Sequence, residues 1–107
     1  MRNQLPIRVK EVVKSIDASA KVILFGSRAR GEAREDSDWD FLILTSQDVS
    51  PALEDEFRTK LYELELEYEQ VISSVIENDQ NWENYLNSEF YMNVQTDGIE
   101  VETLKAA

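Results

Sequence analysis

Two four-residue apolar runs, Val22-Ile23-Leu24-Phe25 and Phe41-Leu42-Ile43-Leu44, bracket the polar stretch GSRARGEAREDSDWD of residues 26–40. Short runs of β-branched and aromatic residues bounded by turn-forming residues read as buried strands, the first ended by Gly26 and the second spanning Asp38 to Leu44. The chain must therefore fold around a sheet, and the polar stretch must join two of its strands. Neither run approaches the length of a membrane span or a signal-peptide core, so a cytoplasmic protein is expected.

The remaining segments read mainly as helices. Leu5, Val9, Val12, Val13 and Ile16 recur at helical spacing with charged residues between them, which predicts an amphipathic helix from about Pro6 to Asp17. Ser50 is a suitable N-cap and Pro51 suits the first helical position, with Leu53, Phe57, Leu61 and Leu64 as the buried face. Val71 to Ile76 predicts a third strand. Asp79 is expected to cap a short helix holding Trp82, Tyr85 and Leu86. Phe90 with Val94 suggests another helix before an Asp97-Gly98 turn, and Ile99 with Val101 a short closing strand. At 107 residues the chain is expected to be a single domain of α/β or α+β class, residues 1–107.

Cysteine and histidine are both missing, which excludes disulfides, Cys- or His-based zinc sites and Ser-His-Asp triads. Any metal has to be held by oxygen. The net charge of −11 is unevenly spread: residues 1–47 carry eight Lys/Arg against seven Asp/Glu, and residues 48–107 carry three against fifteen. Nonspecific DNA binding needs a basic surface, so DNA is not expected as a partner of the acidic half. That charge serves solubility or forms a docking face for a basic protein.

Within the polar stretch, Gly26 stands where a strand gives way to a turn, a place where backbone amides can approach an anion such as phosphate; the alternative is that it only ends the strand. Gly26 and Gly31 have P-loop spacing, but Glu32 and Ala33 stand where Lys and Ser or Thr would be needed, so that reading fails. Asp38 and Asp40 lie one residue apart at the head of an apolar strand, a spacing that puts both carboxylates on one face with backbones ~6.6 Å apart. Two such groups repel each other and lose hydration, which calls for a counter-charge. A bound cation could supply it, and oxygen-only ligation favours Mg2+ or Mn2+. Partnership with Arg28, Arg30 or Arg34 at a solvated strand edge is the other possibility.

Phe25-Gly26-Ser27, ten intervening residues, Asp38-Trp39-Asp40 and then Phe41-Leu42-Ile43-Leu44 resemble the signature of the polymerase-β-like nucleotidyltransferases. The stretch GSRARGEAREDSDWDFLIL is similar to the minimal nucleotidyltransferase (MNT) branch in particular. The resemblance implies a small mixed β-sheet flanked by helices, Gly26 and Ser27 at a triphosphate, Arg28 and Arg30 as candidates for neutralising its charge, and Asp38 and Asp40 as metal ligands and catalytic residues. It implies transfer of a nucleoside monophosphate from a nucleoside triphosphate, with ATP expected, to a hydroxyl of a protein or RNA. It also implies a helical HEPN-type partner protein for which such a domain can act as antitoxin. Family members usually place a third carboxylate on the next strand, where Val71 to Ile76 has none; Glu69 is the nearest candidate of suitable parity. Without that acid, a nucleotide-binding or protein-interaction module that no longer turns over is the alternative.

Overall fold

The computed structural model of the chain describes residues 4–102. Its elements run α1 (Leu5–Ile16), β1 (Lys21–Phe25), α2 (Gly26–Arg30), β2 (Trp39–Thr45), α3 (Pro51–Tyr68), β3 (Ile72–Asn78), α4 (Asp79–Trp82), a 3-10 turn (Glu83–Tyr85), α5 (Glu89–Asp97) and β4 (Ile99–Glu100). The strands form one mixed sheet in the order β3-β2-β1-β4. β1 pairs antiparallel with both β2 and β4, while β2 and β3 run parallel. A parallel pair needs a crossover, and α3 supplies it. The sheet is thus mixed and flanked by helices, as the sequence implies.

The alternation of side chains along β2 sorts the core into two layers. Trp39, Phe41 and Ile43 face α1 and α3, joining Leu5, Val9, Val13, Phe57, Leu61 and Leu64. Leu42 and Leu44 face the other way, against Trp82 and Val94, with Phe25, Val75 and Tyr91 alongside. β2 is buried on both faces because it is covered on both, which is why its run is continuously apolar. Among the described residues, no helix is long and apolar enough to cross a membrane.

Local chemistry sets the element ends, and it moves several expected boundaries. α1 stops at Ile16 rather than Asp17, because the Asp17 carboxylate leaves the helix to accept hydrogen bonds from Thr45 Oγ1 at 2.6 Å, Ser46 N–H at 2.8 Å and Ser19 Oγ at 2.8 Å. Ser50 caps α3 as expected, accepting from the Leu53 N–H at 3.1 Å. The cap of α4 is Asn78 rather than Asp79: the final β3 residue is still extended, and its side-chain oxygen accepts from Gln80 and Asn81 N–H. α4 is a single turn continued by the 3-10 turn, and Ser88 caps α5. β4 is shorter than expected, with Val101 contributing one further bond, from its N–H to Val22 O at 2.8 Å.

β3 lies at the edge of the sheet, and α3 covers part of that edge. Glu65 Oε2 accepts from the Ile72 N–H at 2.9 Å, and Arg58 donates to the Ser74 carbonyl at 3.4 Å. Capping outward backbone groups with charged side chains blunts an edge against pairing with other chains.

Candidate active site

The register of β1 on β2 places Phe25 opposite Asp40, so the turn that follows Phe25 starts beside the Asp40 side chain. Gly26 takes φ +74° there, the left-handed region that side chains disfavour. Its approach to Asp40 is close enough to leave no room for a methyl group: a Cβ on Gly26 would overlap Asp40 Oδ2 and stand 3.1 Å from its Cγ. The residue that ends β1 therefore also makes space for the carboxylate. Ser27 follows as the second residue of α2, whose last turn ends at Gly31, again at φ +74°.

Asp40 is half-buried in β2, and Asp38 is exposed one residue before the strand begins. Burial pushes the Asp40 carboxyl above its ordinary value, the charge of Asp38 pushes it further, and Arg30 only partly opposes this. Among the described residues, neither Arg28 nor Arg30 forms an ion pair with Asp38 or Asp40. Arg30 ion-pairs with Glu32 at 2.8 Å and reaches Asp97 at 4.0 Å. Arg28 stacks on Trp39, 4.2 Å from the ring centroid, and donates to the carbonyls of Ser37 and Glu35.

The pair fits a hard divalent cation on its own chemistry. Its ligands are oxygens, its two charges repel each other, and Asp40 is partly removed from water. A third acid does not join them. Ser73 is the register neighbour of Asp40 on β3, so a serine side chain stands next to Asp40 on the same face of the sheet. Glu69 does not precede it on an extended strand. It is the C-cap of α3, in the left-handed conformation at φ 54° and exposed, three residues before β3 begins. Among the described residues, no three Asp, Glu, Cys or His side chains gather closely enough to hold a metal ion.

Two features here were not apparent from the sequence. Trp39, the residue between the aspartates, is buried on the opposite face and supports Arg28. Gln70 accepts from both Trp39 Nε1 at 3.3 Å and Arg28 at 3.4 Å. No spacing rule links residues 28, 39 and 70. The signal available was the aromatic residue inserted between two acids. A groove of about 560 Å³ lies between α3 and the edge of β3, lined by Arg58, Tyr62, Glu65, Ser73 and Ser74 among others. None of Gly26, Ser27, Asp38 or Asp40 lines it.

Known proteins resemble this chain in sequence and in fold. The chain is 34% identical over 95 residues to a Methanocaldococcus jannaschii protein named "Putative protein adenylyltransferase MJ0604", a match covering 84% of this chain and 90% of the relative. Its fold is similar to that of a chain in a crystal structure described as a toxin-antitoxin with AMP-PNP. The TM-score is 0.64 at 14% identity, covering 94% of this chain and 74% of that one. A chain from a mutant of the toxin-antitoxin MntA-HpeT superposes with a TM-score of 0.59 at 15% identity, covering 92% and 72%. The family model described as the nucleotidyltransferase domain matches residues 7–96, which include the Gly26 turn, both aspartates and all three long strands, and the chain belongs to that family.

Proposed function

We propose that the chain binds ATP with Mg2+ or Mn2+ at the Gly26–Asp40 junction and transfers AMP to a hydroxyl of a protein acceptor. The observation that carries this reading is the packing of the Asp40 carboxylate against Gly26. It joins a phosphate-approachable turn and a charge-repelled carboxylate pair into one site. The name of the M. jannaschii relative supports adenylyl transfer to protein, and the AMP-PNP of the first structural neighbour supports an adenine nucleotide. Both neighbours are described as toxin-antitoxin structures, which supports a partner protein, proposed to be of the helical HEPN type.

In this reading, Asp38 and Asp40 hold the cation, and the backbone and hydroxyl of Gly26-Ser27 bind the phosphates. A divalent ion bound there would stabilise charge on the phosphoryl oxygens. The acceptor oxygen forms a bond to the α-phosphorus, and the bond from that phosphorus to the bridging oxygen breaks. Pyrophosphate departs with the electron pair and the hydroxyl proton passes to solvent. The chain supplies position and fixed charge, the main contributions a protein makes to phosphoryl-type transfer.

One observation favours a second reading, a nucleotide-binding module without turnover: Ser73 stands where a third carboxylate would complete the set. Two measurements separate the readings. ATP with Mg2+ should raise the melting temperature, and Asp38→Asn with Asp40→Asn should abolish the shift; an unchanged shift in the double variant defeats the site altogether. Labelled ATP incubated with the chain and a helical partner protein of the proposed type should label the partner. Bound nucleotide without label would establish the second reading instead.

A further inference from the structure

Asp38 lies outside β2, so sheet pairing does not place it, yet a metal pair needs both carboxylates held. The backbone on either side of it is fixed by other means. On its N-terminal side, Arg28 donates to the Ser37 carbonyl through Nη2 at 2.8 Å and Nε at 3.3 Å, and Nη2 also reaches the Glu35 carbonyl at 3.1 Å. On its C-terminal side, the Trp39 N–H donates to Val71 O at 2.9 Å. The guanidinium lies over the Trp39 ring, which is itself stacked on Phe41, and Gln70 Oε1 receives both Arg28 Nη2 and Trp39 Nε1. Arg28 is half-buried, and its plane is occupied by the loop it holds.

We propose that Arg28 is a positioning residue: with Trp39 and Gln70 it clamps the 35–38 loop and so fixes Asp38 beside Asp40 for cation binding. This rests on the reading of the aspartates as the cation site. A lysine cannot replace the arginine, because a single ammonium cannot make the forked contact to one carbonyl while lying flat on an indole. Residues that orient metal ligands are worth about 10–100-fold in affinity when removed.

The sign of the effect separates this role from simple charge. Deleting a cation near two carboxylates should strengthen metal binding on electrostatic grounds, whereas releasing the loop should weaken it. The experiment is titration of the full chain with Mn2+ alone, no nucleotide present, followed by calorimetry or by the paramagnetic signal of free Mn2+. Arg28→Ala and Arg28→Lys should each weaken Mn2+ binding by about tenfold or more. Adding Asp38→Asn to Arg28→Ala should cost little further, since the contribution of Asp38 is already lost. Gln70→Ala, a milder change, should weaken binding in the same direction and keeps the test decisive if an arginine variant fails to fold. Unchanged or tighter Mn2+ binding in the folded arginine variants, with losses confined to ATP, would overturn the clamp and make Arg28 a phosphate contact. If Asp38→Asn and Asp40→Asn also leave Mn2+ binding unchanged, the cation site fails, and the clamp with it.

Discussion

Gly26→Ala and Gly31→Ala both place alanine at positive φ and differ in what their new methyl groups meet. Both glycines sit at φ +74°, one at each end of α2. Alanine in that conformation costs about 1 kcal/mol. Nothing lies within 4 Å of a methyl at Gly31, so that variant should lose about this much and no more. At Gly26 the methyl overlaps Asp40 Oδ2, and the carboxylate has to retreat by about 1 Å to reach ordinary contact. The backbone of β2 cannot follow, because Asp40 is held in register with both Phe25 and Ser73. Rotation of the side chain away from the turn relieves the overlap at modest energetic cost, so the stability loss should stay near 2 kcal/mol, roughly the backbone term plus an off-rotamer side chain.

The functional loss should be far larger, because a misplacement of about 1 Å at a reacting centre can cost 100-fold. Urea unfolding of both variants gives the stability difference, and Mn2+ titration gives the site. The expected result is that the two lose similar stability, within about 1 kcal/mol, while only Gly26→Ala loses metal affinity, by about 10–100-fold. Equal metal affinity in the two folded variants would refute the claim that Gly26 is glycine for the sake of Asp40.

Further tests address individual groups. Burial raises the Asp17 carboxyl, but hydrogen bonds from Thr45, Ser46 and Ser19 outweigh it and hold the group well below the usual carboxylate range. Its stabilisation is therefore present above the unfolded value of about 4 and lost as pH falls further, so Asp17→Asn should cost about 2 kcal/mol at neutral pH and progressively less in acid. An acid titration of urea midpoints checks this; a difference that grows on acidification would contradict it. Asp40 has the opposite sign: its raised carboxyl favours the fold when protonated, a contribution complete below about pH 4 and lost as pH rises through the folded value. Metal-free Asp40→Asn should accordingly melt higher than the parent at neutral pH, with the gap closing toward pH 4 as the parent's Asp40 takes up its proton, and a lower melting point would argue against unrelieved repulsion. Ser73→Asp should tighten Mn2+ binding by about tenfold and lower metal-free stability, since it adds a third carboxylate beside Asp40; weaker binding would place Ser73 away from the pair.

The fold was legible wherever burial imposes a period. The stripe of α1, the Ser50-Pro51 start of α3 and the apolar runs of β1 and β2 follow from local rules, and the structure departs from them by one or two residues. Two of the misplacements involve contacts outside the reach of local spacing rules. Asp17 leaves α1 for Thr45 and Ser46, 28 and 29 residues away. Asp38 falls outside β2, in a loop where Arg28 donates to the Ser37 carbonyl and Gln70 accepts from Trp39 Nε1. Glu69 is a strand candidate by parity, but parity applies only along continuous extended chain, and the left-handed cap at Glu69 breaks it. Of the aromatic residues, Trp82 is buried among Phe90, Tyr91 and Tyr85, while Tyr62 stays mostly exposed, a distinction that helical spacing does not make.

The site is local in a way that separates assembly from turnover. Gly26, Ser27, Asp38 and Asp40 all lie within fifteen consecutive residues, and the antiparallel pairing of β1 with β2 folds that stretch back on itself. Antiparallel neighbours need only a connection, so the Gly26–Asp40 packing needs no crossover, whereas the hold on Asp38 also uses Gln70 and the Val71 carbonyl just after α3. What β3 contributes is the position next to Asp40, and there the chain has Ser73. A change at that position leaves the Gly26–Asp40 packing and the clamp on Asp38 untouched, since neither uses a β3 side chain. On the proposed reading, nucleotide binding rests mainly on the β1–β2 unit, while an acid beside Asp40 on β3 would add to cation affinity and, more strongly, to the rate of transfer. In a nucleotidyltransferase domain built this way, Asp38→Asn should abolish both properties together, whereas substitutions at Ser73 should change rate by more than they change ATP affinity.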